Sequence, residues 1–426
     1  MLQLTRPAHP LTRPWLLLAI GAIGVSALLA ILLVVARTPL LQQLFGGADL
    51  FHTVLVLHVN FSVLIWLLAF GAVLWSLELP APHPWADTLA LALVCCGVLL
   101  LGFSPLITPP PQPVMSNYIP ILHSPAFLTG LCAFSAGIGL AALRRLAVGG
   151  ARTGQLAALS LLASLLVFAV TAWRLPHPID NPQSFEALFW GGGHMLQFTY
   201  LLLLTSAWQR LQSQGTVSLP EPAITVPGTL LLGIGVLLTL LFEPGSEMWR
   251  EAFTWLMRLG TPLLALSAIA RLWQPRHQGA LRWSQLLLLA GLLLGATISG
   301  DNVTVTAHYH ATNAAITLAF MALAYRLFSA LGMGVPHLHW SQRQLRLYVY
   351  GMGLYIGGMA LSGLLDVPRK VPLSIDGIQA VTMGLMGLGG IVAIVATLLF
   401  VALLWQAVRR HTRVSASHRG AHEVAK

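Results

Sequence analysis

Charge is what this sequence has least of. Only 8% of its 426 residues are Asp, Glu, Lys or Arg, against about 25% in a typical soluble domain. With 56% hydrophobic residues, that scarcity excludes an ordinary soluble globule. Cysteine is almost as rare. Cys95, Cys96 and Cys132 all fall inside apolar segments, and the sequence has no CxxCH, which excludes covalent attachment of a c-type haem. No polar stretch is long enough for a soluble domain; the longest is the tail after Gln406. The net charge of +10 is not gathered into a basic stripe with interleaved aromatics, so nucleic acid is not an expected partner.

What is present is a series of apolar runs, each near the roughly 20 residues that a bilayer-spanning helix needs. They predict twelve spans and one transmembrane domain over 1–426. The first six are Trp15–Val35, Val54–Leu77, Thr88–Ile107, Ala126–Leu143, Gln155–Trp173 and Ala187–Ala207. The second six are Val226–Phe242, Ala252–Leu272, Trp283–Ile298, Val303–Leu327, Leu347–Leu364 and Ile378–Trp405. The first run is too long for a signal-peptide core and lacks a small-residue cleavage site, so it reads as a span. Linkers such as Thr108–Pro113 and Leu175–Pro182 are short and proline-bearing, which stops a helix before it re-enters the bilayer. Placing the N-terminus inside puts Arg6, Arg13, Arg144, Arg145, Arg152, Arg210, Arg276, Arg282, Arg343, Arg346 and the basic tail on one side. Arg37, Arg174, Arg250, Arg369 and Lys370 remain on the other. The positive-inside rule then makes both termini cytoplasmic, residues 1–13 and 406–426 respectively; a bacterial inner membrane is the expected setting.

Most of the fifteen histidines lie in loops or tails as solvated polar residues, His9 among them. Four sit inside apolar runs: His58, His194, His308 and His310. An ionisable group inside a spanning helix is costly and is by default a functional candidate. Helical rise places all four at about 10–14 Å below the outer face, on three separate helices. A shared depth reads as a site, the bland alternative being that each bonds a nearby backbone carbonyl. His308 and His310 are two residues apart and so point about 200° away from each other. They cannot chelate one ion, but each can offer an imidazole to a different flat macrocycle. His58 lies at the depth that matches His310, whereas His52 sits about 9 Å nearer the surface.

These segments resemble the catalytic subunit I of the haem–copper oxidase superfamily, which includes cytochrome c oxidases and nitric oxide reductases. Ala307-His308-Tyr309-His310 resembles the family's AHxH segment, Leu57-His58-Val59-Asn60 its second-helix segment, and Trp190-Gly191-Gly192-Gly193-His194 its W-x-x-G-H segment. Val367-Pro368-Arg369-Lys370 resembles its P-R-R turn. The resemblance implies an all-α bundle with two haems, one low-spin through His58 and His310 and one high-spin through His308. It implies that Arg369 and Lys370 hold haem propionates. It also implies a second metal, copper or non-haem iron, at His194, with His194 and His308 as the catalytic residues.

The sequence departs from that pattern where the family carries a further histidine pair. Here the segment reads Leu241-Phe242-Glu243-Pro244-Gly245-Ser246-Glu247. A tyrosine four residues after the helix-six histidine is replaced by Phe198, with Tyr200 two residues on, and the eighth span carries Arg258, with Arg271 at its end. Glu243 and Glu247 are either oxygen ligands or solvated acids. Two functions are therefore expected in competition. One is a respiratory oxidoreductase that reduces oxygen or nitric oxide. The other is a non-catalytic di-haem electron carrier or gas sensor without the second metal. A transporter using histidine proton relays fits the spans but not the AHYH pair. The expected partners are the lipid bilayer, a small gas ligand, and either a partner membrane subunit or a soluble donor such as cytochrome c or a cupredoxin-like protein.

Overall fold

The computed structural model describes residues 8–37, 47–80, 83–212, 219–273, 279–299, 302–365, 367 and 377–424. Apolar sequence and capping residues explain where its helices begin. Pro84, Pro125, Pro182 and Pro222 open helices at a position where no N–H is needed. Ser124, Ser246 and Asn302 each accept a backbone N–H as N-caps, from Phe127, Trp249 and Thr304.

Among the described residues the long helices are α1 (Thr12–Arg37), α2, α3 (Pro84–Ile107), α4 (Pro125–Leu146), α5 (Arg152–Arg174) and α6 (Pro182–Leu211). There follow α7 (Pro222–Leu241), α8 (Glu247–Leu272), α9 (Ala280–Ala296), α10 (Val303–Ala330), α11 (Leu338–Leu364) and α12 (Ile378–Val424). α2 is composite: Gly47–Val59, a π-helical turn Asn60–Ile65, then Trp66–Ser76. Each predicted span thus contains an observed helix. Ten of the helices are long and apolar enough to cross a membrane, and the chain is an all-α integral membrane protein. α9 is shorter than those ten, and α6 is long but diluted by Glu186, three glycines, His194 and Gln197. One element was not anticipated. The segment between α3 and α4 forms a small antiparallel hairpin, β1 (Pro113–Val114) paired with β2 (Ile121–Leu122).

The chain groups into two compact units: Arg6–Gln209 with Gln214–Trp273, and Met1–Thr5, Arg210–Ser213 and Gln274–Lys426. In the larger unit, α3 and α4 approach closely through glycine. A Cβ at Gly97 would lie 2.5 Å from Phe134 N, and one at Gly137 2.6 Å from Ala90 O. Small residues at such crossings let backbones meet where apolar burial gives no drive. One end of this unit carries ion pairs. Arg145, fully buried, binds Glu78, and Asp87 takes Arg144 Nε at 2.8 Å and His9 Nε2 at 3.1 Å. His9, expected as a solvated tail residue, is instead 6% exposed. Leu11 N donates to its Nδ1, so Nε2 carries the proton given to Asp87.

In the smaller unit α10 is central, with 83% of its span buried. α11 and α12 meet at Gly351, Gly358 and Gly389, where an added Cβ would come within 2.6, 2.6 and 2.3 Å of main-chain nitrogen across the interface. Tyr325 Oη donates to Gln344 Oε1, and Gln344 Nε2 donates to Ala396 O at 3.0 Å, linking α10, α11 and α12.

Gly97→Ala should lower stability by about 1–3 kcal/mol, since the new methyl meets backbone that cannot yield without moving a helix. Gly357→Ala, with nothing within 4 Å of its Cβ, should be neutral or stabilising by up to about 1 kcal/mol. Thermal unfolding of both variants in detergent checks the contrast.

Candidate functional site

Each unit carries two of the four span histidines, and their surroundings follow from local sequence. On α10, His308 and His310 leave opposite sides of the helix, as their spacing requires. His308 turns toward α9, where its Nδ1 donates to Gly291 O at 2.7 Å. A Cβ at Gly295 would lie 2.8 Å from that nitrogen, so glycine at 295 makes room for the ring. His310 turns toward α11, its ring centroid 4.9 Å from that of Tyr355, edge to face. Its Nδ1 donates one turn back to Thr306 O at 3.0 Å.

In the larger unit, His58 sits at the end of the first segment of α2 and reaches α1. Its Nδ1 donates to Ser26 O at 3.0 Å, and Ser26 Oγ lies 3.1 Å from the same nitrogen. The π-turn that follows shifts the phase of α2. Ser62 Oγ, within that turn, donates to His58 O at 2.7 Å. Such turns in helices often mark functional positions. His52 lies nearer the start of α2, half-buried against Phe51 at 5.4 Å between centroids.

His194 is almost fully enclosed, 1% exposed, on α6. Its Nδ1 donates to Trp190 O at 2.7 Å, so its Nε2 carries the lone pair, and Tyr118 Oη donates to that nitrogen at 2.9 Å. Trp190 at 4.9 Å and Phe253 at 6.0 Å between ring centroids complete the enclosure. Tyr118 stands at the tip of the β1–β2 hairpin, which folds back among the helices. Asn60 Nδ2 holds the hairpin through Pro120 O at 2.7 Å, and Asn117 holds Glu186 through its N–H at 3.0 Å and its Nδ2 at 2.7 Å. The Gly191-Gly192-Gly193 run explains how so much aromatic mass fits. A Cβ on these residues would come within 2.9 Å of Trp249, 2.3 Å of Phe168 and 2.3 Å of Tyr118 respectively.

An imidazole that ligates iron presents Nε2 and has Nδ1–H held by an acceptor. His58 and His308 meet both conditions: Nδ1 is anchored, and Nε2 has no hydrogen-bond partner among the described residues. His310 shares the anchored Nδ1. In donor chemistry these residues fit haem ligands. His194 does not fit a metal ligand in this arrangement, because the Tyr118 hydroxyl occupies its lone pair. Among the described residues no three His, Cys, Asp or Glu side chains gather as a metal site, and Glu243 and Glu247 are exposed. Phe198 and Tyr200 are buried on α6. Arg369 and Lys370 lie outside the described residues.

Tyr118→Phe should cost about 1–3 kcal/mol, since it leaves a buried Nε2 without its donor while keeping the ring stack. Gly193→Ala should cost at least as much, because the added methyl occupies the space of the Tyr118 ring. Equal unfolding midpoints for Tyr118→Phe and the wild type would show that the hydroxyl contributes nothing.

No family model matches the chain. It is similar to an uncharacterized protein of Rickettsia prowazekii (strain Madrid E), 26% identical over 92% of this chain and 95% of that protein. It is also similar to an uncharacterized protein of Aquifex aeolicus (strain VF5), 28% identical over 75% of this chain and 84% of that protein.

Proposed function

We propose that this chain is a haem-binding membrane oxidoreductase, organised like subunit I of the haem–copper oxidases. The observation that carries this reading is the pair of imidazoles, His58 and His308, that anchor Nδ1 on a main-chain carbonyl and leave Nε2 to ligate. The divergent faces of His308 and His310 support two macrocycles served from one helix. On this reading His58 and His310 would hold a low-spin haem, and His308 would hold a high-spin haem. Arg369 and Lys370 neutralise propionates. α6 and α9 cross the membrane with the other ten helices, both termini are cytoplasmic, and the protein resides in a bacterial inner membrane. Haem bound there would supply one-electron chemistry toward oxygen or nitric oxide. The chain's residues do the rest: carbonyls fix each imidazole's tautomer, and the enclosing helices exclude water. The Tyr118–His194 pair sets the position of a proton between Oη and Nε2. Electrons arrive from a partner subunit or a soluble donor of the cytochrome c or cupredoxin type.

The engagement of His194 by Tyr118 favours a second reading, in which the chain carries electrons or senses a gas without a second metal. Copper prefers several soft or borderline nitrogen and sulfur donors, and this arrangement offers it none at His194.

Reduced-minus-oxidised spectra of the purified protein, with and without carbon monoxide, test both. Two haems are expected, one of them sensitive to carbon monoxide. His308→Ala should remove the carbon monoxide response, and His58→Ala or His310→Ala the low-spin signal. A low-spin signal intact in His58→Ala would shift that role to His52. Protein from haem-replete cells that contains no haem would overturn the proposal. One equivalent of copper or non-haem iron, lost in His194→Ala, would favour the enzyme; two haems alone would favour the carrier or sensor.

A further inference from the structure

At the end of the larger unit where α6 and α8 begin, a cavity of about 330 Å³ opens beside the hairpin. Its walls include Met115 and Ser116 from the hairpin, Gln183 and Glu186 from α6, and Arg250 from α8. The volume is in the range of small-molecule sites. Ser116 is spent on Ile119 O, so it does not set the chemistry. The two charged groups do.

Arg250 lies in the first turn of α8, where a cation opposes the helix dipole, so helix stability does not explain it. Its guanidinium makes no hydrogen bond, ion pair or ring contact with any described residue, and its Nε is buried without a partner. A buried donor left in this state is expensive unless something else answers it. Glu186 lines the same cavity, yet among the described residues no carboxylate oxygen comes within 4.0 Å of the guanidinium. Asn117 fixes Glu186 through two hydrogen bonds, and a carboxylate has about four acceptor positions, so acceptor capacity remains. Two opposite charges face one space without meeting.

We infer that this cavity binds a zwitterion carrying a phosphate and a primary ammonium, the phosphate on Arg250 and the ammonium on Glu186. Guanidinium matches phosphate through paired N–H donors. A carboxylate takes N–H donors from a primary ammonium, which a quaternary ammonium cannot supply. Depth selects phosphate over a second carboxylate. Arg250 sits in the first turn of α8's candidate span, Glu247–Leu272, next to exposed Met248 and close to exposed Trp255, 65% and 55% accessible. That is the level of lipid headgroups. The ligand is the ethanolamine-phosphate headgroup of a bilayer lipid.

The test uses the full chain in detergent, with glycerophosphoethanolamine as the probe and the unfolding midpoint as readout. The midpoint should rise saturably, with affinity at least tenfold lower for glycerophosphocholine and for inorganic phosphate. Arg250→Gln should abolish the response, Arg250→Lys should keep part of it, and Glu186→Gln should remove the preference for ethanolamine over choline. In nanodiscs, phosphatidylethanolamine should raise the midpoint above phosphatidylcholine, and the soluble probe should then add nothing. A response to the soluble probe with no difference between the two lipids would overturn the lipid assignment and leave a free metabolite of the same chemistry. No response in wild type, a response equal to that of inorganic phosphate, or a response undiminished in both Arg250 variants would overturn the site.

Discussion

Hydrocarbon offers no hydrogen bonds, and the placement of polar groups in this protein follows from that. Inside a span the chain itself is the main source of acceptors for a buried donor. Main-chain carbonyls are the acceptors in greatest supply, and all four span histidines use one: Ser26 O, Trp190 O, Gly291 O and Thr306 O. The same economy governs hydroxyls, with Ser62, Thr205 and Thr239 each bonded back to their own helix. A carbonyl can only accept, so each contact also decides which ring nitrogen keeps its proton. The apolar environment thereby selects a tautomer, and with it which nitrogen is available for chemistry. At His58 and His308 that nitrogen has no partner among the described residues; at His194 it meets Tyr118.

Close helix crossings follow from the same solvent. Apolar burial gives little drive when lipid is as apolar as leucine, so contacts depend on how near two backbones can come. Gly97, Gly351, Gly358 and Gly389 serve that purpose. At Gly295 and Gly193 the space is given instead to His308 and to Tyr118. Glycine in these helices is therefore spent in two ways, on backbone or on a functional ring.

How much could be read beforehand differs by feature. Every predicted span contains a helix, because long apolar runs report on a solvent and need no knowledge of neighbours. Helix ends ran further than hydropathy suggested, as with α11, which starts at Leu338 and not Leu347, since polar residues extend a helix beyond the apolar slab. The opposed faces of His308 and His310 were fixed by helix geometry alone. The hairpin and Tyr118 are not legible in the sequence, because a Pro-rich linker reads as a simple connection and its inward fold depends on Asn60 and Asn117 finding distant partners. Three consecutive glycines before His194 were the available hint that something large approaches α6 there. The burial of His9 is hidden for a related reason: position near a chain end says little about whether an Asp–Arg pair will enclose a residue. The π-turn after His58 left no trace in composition.

The seat of Tyr118 also sets an order of assembly. The hairpin is synthesised between α3 and α4, but the surfaces that receive it lie on α6, at Trp190, Gly193 and His194, and on α8, at Met257. When α4 enters the bilayer, the slot for the tyrosine does not yet exist. The hairpin must wait at the membrane surface until four more helices have been delivered, and only then fold inward to cover His194. Closure of this part of the protein is thus a late event in its biogenesis, and a chain interrupted before α8 would leave an aromatic, proline-rich loop undocked.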